Sequence, residues 1–151
     1  PAAKGVWVGH YNQSRLEHWD SLGNMRQVLV RDPDWFEPWA LLDTRPNPTP
    51  SPALTSLWLD GRGYLWTFTE VPDPTWKPEK VKGEGATLTP DAIEKRYDTI
   101  IEVIDPAAKR VLARSRFPTL LSISARGTAV SLIEIESGDV RLDVWKLELV
   151  R

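Results

Sequence analysis

Three stretches of this chain share one alternation of apolar and polar positions: Arg15-Leu16-Glu17-His18-Trp19-Asp20, Ile100-Ile101-Glu102-Val103-Ile104-Asp105 and Arg141-Leu142-Asp143-Val144-Trp145-Lys146. In each, an aliphatic residue, an acid, a variable residue and a large apolar residue follow in turn, so two faces alternate at the period of a β-strand. The same reasoning predicts further strands over residues 5–8, 25–31, 53–60, 64–69, 110–117, 119–125, 128–136 and 140–150. Between them lie turn signals: Asp20-Ser21-Leu22-Gly23-Asn24, Asp60-Gly61-Arg62-Gly63, Asp105-Pro106-Ala107-Ala108-Lys109, Arg126-Gly127 and Ser137-Gly138-Asp139. Asp and Gly at these places favour tight reversals, and Asp-Gly between two apolar runs is a strong hairpin signal. No long amphipathic helix is predicted.

Two stretches interrupt the pattern. Residues 32–52 carry alternate prolines, which cannot donate to a ladder and favour extended polyproline backbone. Residues 70–96 are rich in Pro, Lys, Glu and Gly, with a short helical turn predicted over 89–96, capped by Thr89 with Pro90 at its first position. Lys4-Gly5-Val6-Trp7-Val8, Gly63-Tyr64-Leu65-Trp66-Thr67 and Gly127-Thr128-Ala129-Val130-Ser131 take the same place in successive units. With both long connections removed, the period is about 40 residues, that of four-stranded repeats. The predicted fold is therefore all-β: four-stranded antiparallel meanders forming about three β-propeller blades, the first and last incomplete. One domain spans 1–151, in units 1–31, 53–117 and 118–151, with long loops at 32–52 and 70–96.

Leu57-Trp58-Leu59-Asp60-Gly61-Arg62-Gly63-Tyr64-Leu65-Trp66 and Leu16-Glu17-His18-Trp19-Asp20-Ser21-Leu22-Gly23-Asn24 resemble blades of the six-bladed β-propellers of the NHL-repeat type, in which strands meet at Asp-x-x-Gly turns. The first unit starts at a second strand and the last ends at a third. The resemblance thus implies the C-terminal half of a larger propeller, closed by N-terminal blades or by a second copy. It also implies an extracytoplasmic location, periplasmic or secreted, in a bacterium.

Composition narrows the function. A net charge of −2 argues against nucleic-acid binding, which needs a basic surface to displace phosphate counterions. Zero cysteines exclude disulfides and thiolate chemistry. No apolar run reaches the roughly 18–20 residues of a spanning helix. Eight tryptophans and thirteen prolines favour strands joined by irregular connections. Neither a nucleophile elbow, a phosphate loop, a zinc helix nor a calcium loop is present, and no cofactor or metal is expected.

In a four-stranded blade, second-to-third loops and blade-to-blade connections share one face, so both long loops are expected to rise together. His10, Tyr11 and Asn12 belong to that face, as do Trp35, Phe36, Trp39 and Trp76. Loops on a rigid scaffold are where binding concentrates, and His10, Tyr11, Asn12, Trp35, Trp39 and Trp76 are the candidate ligand-binding residues. His10 also reads as a base or metal ligand, or as a plain loop histidine. The tryptophans read as a stacking platform or as plugs holding the loop to the blades. His18 is expected within its strand, Trp7, Trp66 and Trp145 in the core between blades, and Lys77, Lys80 and Lys82 as solvated loop charges. Glu70, Asp73 and Glu79 read as cation ligands or an acid and base, or as solvated loop charges. The leading expectation is a non-catalytic module engaging a protein, peptide or carbohydrate. The alternative is a fragment of a calcium-dependent hydrolase or lactonase, which the resemblance also admits; a structural repeat of an envelope protein is a third class.

Overall fold

A computed structural model describes residues 5–40, 50–77, 95–125, 127–134 and 138–150. Among them every helix or strand is a strand: β1 (Gly5–Gly9), β2 (Arg15–Asp20), β3 (Met25–Val30), β4 (Ala53–Leu59), β5 (Leu65–Pro72), β6 (Tyr97–Asp105), β7 (Arg110–Phe117), β8 (Ser122–Ala125), β9 (Thr128–Glu134) and β10 (Val140–Lys146). Consecutive strands pair antiparallel into three sheets, β1-β2-β3, β4-β5-β6-β7 and β8-β9-β10. The chain is all-β, in about three blades with the first and last incomplete. The three stretches of shared pattern are β2, β6 and β10, each the third strand of its unit if β1 is counted as a second strand.

Side-chain chemistry shapes the turns. Oδ1 of Asp20 accepts from the N–H groups of Leu22 and Asn24, at 2.8 and 2.9 Å. Asp60 repeats this with Arg62 and Tyr64, at 2.8 and 2.9 Å, and Asp105 takes Ala107 and Ala108. These bonds satisfy the donors that a reversal strands. Gly23 and Gly63 close the first two turns at φ 79° and 84°, where a Cβ is strained. Lys109 takes that conformation in the third. The repeat extends to irregularities: β2 shifts register against β3 between His18 and Trp19, and β6 shifts against β7 at the corresponding Val103 and Ile104.

The middle sheet is covered on both sides, so β5 and β6 are buried almost throughout, polar residues such as Thr67, Thr99 and Glu102 included. Leu65 and Ile104 pack on Leu16 and Leu29 of the first sheet. On the opposite face Trp66, Phe68, Ile101 and Val103 pack against Leu121 and Ala129 towards the third. Glu102 is buried at the first interface, 1% exposed, where it accepts from Arg31 Nη2 beyond β3 and from Arg114 Nε on β7. A carboxylate there is tolerable because guanidinium donors on both sides replace the lost water.

Several expectations change. β5 runs to Pro72, so Glu70 is a strand residue and the long loop starts later than 70. β8 begins at Ser122 and β10 ends at Lys146, shorter than 119–125 and 140–150. Trp66 is core at 4% exposure, but Trp145 is 45% exposed because β10 is the last strand of its sheet among the described residues. Trp7 is half-buried and stacks on His18, centroids 5.0 Å apart. The helical turn at 89–96 falls largely outside the described residues, as do Glu79, Lys80 and Lys82.

Candidate functional site

The connections 10–14, 31–40, 50–52 and 73–77 gather at one end of the sheets. Arg31 N–H donates to Ser14 O at 3.0 Å, Leu54 N–H to Tyr11 O at 2.9 Å, and Trp39 N–H to Asn12 O at 3.3 Å. Asn12 returns a bond from Nδ2 to Trp39 O at 2.6 Å, so the two residues are clamped in both directions. Trp39 Nε1 donates to Pro52 O at 2.7 Å, fastening the start of the long connection to its end. Tyr11 packs edge-on against Trp39 at 5.7 Å. Pro50 and Pro52 have no N–H to offer, so this end of the connection is held through the Pro52 carbonyl.

Between these segments lies a cleft of ≈ 540 Å³ lined by Trp35, Trp39, Pro38, Pro50, Pro52 and Pro72, with Asp34 and Glu37 also on its wall. Its floor is rigid: the Trp35 ring meets Phe36 edge-on at 6.0 Å and carries the Arg114 guanidinium 5.4 Å from its centroid. Phe36, 3% exposed, anchors the segment to the blades. Trp35 Nε1 is buried without a hydrogen-bond partner, as is Thr67 Oγ1 beneath it, and both residues line a void of ≈ 10 Å³ between the first two sheets.

Electrostatics adds a second group. Burial raises the pKa of Glu70. Tyr97 is raised as well, chiefly by burial, then by the negative Glu70 and by Tyr11, with Arg96 and the Ser51 backbone acting the other way. Asp73 is held below the ordinary carboxylate range by the hydroxyl and the N–H of Thr75. Tyr97 does not stand out as a site residue in the sequence, whose pattern puts Glu70 in a loop rather than beside it in the sheet. The signal was there in the strand alternation, which continues past Thr69 and pairs Glu70 with Thr99.

The six predicted residues divide. Tyr11, Asn12, Trp35 and Trp39 come together, with Trp35 and Trp39 on the cleft wall and Asn12 holding it. Trp76 stands apart from that wall; its N–H donates to Asp73 O at 3.1 Å, and Arg96 lies 5.7 Å from its ring. His10 turns away altogether. Its Nε2 lies 3.1 Å from Glu17 Oε1, on the side of the first sheet away from β4–β7, without the alignment of a hydrogen bond. Glu17 also receives Arg15 Nε and Trp19 Nε1, and its pKa is lowered, first by the Arg15 bond. Among the described residues no three acidic or histidine side chains are grouped to hold a metal ion, and no helix is long and apolar enough to cross a membrane. Comparisons with protein families, with curated proteins and with solved structures give no match to this chain.

Proposed function

We propose that this chain is a non-catalytic binding module, part of a six-bladed propeller similar to the NHL type, whose long-loop face engages a protein, peptide or carbohydrate. The observation that carries this reading is the Trp35–Trp39–Pro52–Pro72 cleft, built from segments distant in sequence and fixed by reciprocal bonds between Asn12 and Trp39. The wall is mixed, more polar than apolar, and the indole and proline faces in it offer flat contact at little entropic cost beside polar groups, the chemistry that suits a sugar ring or an extended peptide. Asp34 and Glu37 favour an occupant with hydroxyl or cationic donors.

The test is to probe an array of neutral oligosaccharides and an array of proline-rich and basic peptides with labelled chain. Trp35→Phe serves as the fold control, because removing a buried N–H that has no partner breaks no bond in the fold. Trp35→Ala also removes the ring contacts with Phe36 and Arg114, so its fold is checked by near-ultraviolet circular dichroism. An occupant of the cleft loses at least about tenfold in affinity with Trp35→Ala, as expected for truncating an aromatic anchor. Binding that survives Trp35→Ala unchanged, or no binding on either array, overturns the reading.

A further inference from the structure

Equivalent positions of the three units differ sharply in burial, and the difference has a direction. On the strand following each Lys4, Gly63 or Gly127 position, Leu65 and Ala129 are 0% exposed, whereas Val6 is 57% exposed. Two residues on, Thr67 and Ser131 are each 2% exposed and Val8 is 40%. In the second and third units these side chains face the preceding sheet; in the first, no sheet covers them among the described residues. The reverse holds on the other side. Leu16 and Ile101 are 3% and 5% exposed because each faces a following sheet, but the matching Leu142 is 56% exposed and Val144 is 63%.

The register assigns the remaining members of each face. On the first sheet Val6, Val8, Trp19, Val28 and Val30 share a side with Glu17. On the third, Val130, Leu132, Val140, Leu142 and Val144 share the opposite side. Apart from Glu17 with its neighbours Arg15 and His10 on the first, each is an apolar surface of a kind that monomeric soluble proteins seldom leave bare. The two are also of opposite type. Both sheet-to-sheet contacts inside the chain join a face of the Leu16/Ile101 type to one of the Leu65/Ala129 type, and one face of each type is left over.

We infer that the occupant of both is a second copy of this chain, the third sheet of one copy docking on the first sheet of the other, twice, to close a ring of six sheets. The contact continues the internal packing between sheets. It also buries Glu17 without stranding it, since Arg15 and Trp19 already bond both of its oxygens. The interface is head-to-tail, and the twofold arrangement makes it close.

Sedimentation velocity of the 151-residue chain, with Val8→Lys and Val144→Lys, tests this. Both sites are exposed within the chain, so the variants fold, which near-ultraviolet circular dichroism checks. The wild type is expected to sediment at twice the 17.1 kDa chain mass. Each variant alone weakens association at least about tenfold, because a lysine charge is driven into an apolar contact. Mixing the two variants restores part of it, since the mixed pair keeps one unaltered contact. A folded wild-type monomer overturns the inference. So does a dimer that tolerates either variant, which would mean a face pairing with itself, and so does a ladder of larger species.

Discussion

Asp60 is 9% exposed and remains the acceptor around which its turn is built. Burial by itself raises the pKa of its carboxyl, but bonds from the Tyr64 N–H, Trp66 Nε1 and the Arg62 N–H and guanidinium outweigh that and leave it below the usual value. The folded pKa is thus depressed relative to the unfolded one, near about 3.9. The stability that Asp60 contributes is complete above the unfolded value and is lost as the pH falls through the folded value. Asp60→Asn is expected to lower stability at pH 7 by roughly 1–2 kcal/mol, the order of a buried hydrogen bond left unmade. Its urea midpoint should also fall less steeply than the wild type's below about pH 4. A midpoint profile parallel to the wild type's would contradict the role. The Asp-x-x-Gly spacing was readable in the chain, but the bond from Trp66 Nε1 at 3.2 Å was not, because it depends on the β4–β5 register.

At the scale of elements, the third strands β2, β6 and β10 carry an acid at the same place, and their surroundings differ. Glu17 pairs with Arg15 on its own strand, Asp143 with Arg141 on its own strand, and Glu102 with Arg114 on β7 and Arg31 just after β3 of the first sheet. Glu102 thereby links two sheets as well as two strands. Glu102→Ala is expected to destabilise by about 3 kcal/mol, at the lower end for a broken buried pair because both guanidiniums reach solvent. Asp143→Ala, at a pair more exposed to water, should cost under about 1 kcal/mol. Chemical denaturation of the two variants checks the contrast, and equal costs would remove the bridging role. The sequence marks the three acids as equivalent; only packing makes them unequal.

For the molecule as a whole, the middle sheet alone has a neighbour on each side among the described residues. In the Val8→Lys chain, whose association is weakened, amide exchange is therefore expected to be slowest in β5 and β6 and fastest in β1 and β10, with local opening of the outer strands preceding global unfolding. Hydrogen–deuterium exchange read by mass spectrometry checks the order, and uniform protection across the three sheets would contradict it. The loop-face cleft belongs to this scale too. Its wall combines residues 34–39, 50–52 and 72, brought together by strand pairing and by the Asn12–Trp39 clamp.

By itself the sequence determined the strands, their tight turns and the repetition of the third strand, because alternation and Asp/Gly reversals act over a few neighbouring residues. It also placed Tyr11, Asn12, Trp35 and Trp39 at one end of the sheets. Tertiary structure decided which face of each strand is covered, since that depends on the presence of a neighbouring sheet and not on the strand's own pattern. Val6, Leu65 and Ala129 occupy one repeat position and are 57%, 0% and 0% exposed. It decided likewise that His10 turns to Glu17 and that Trp145 stays half open, because a side chain settles where its partners are.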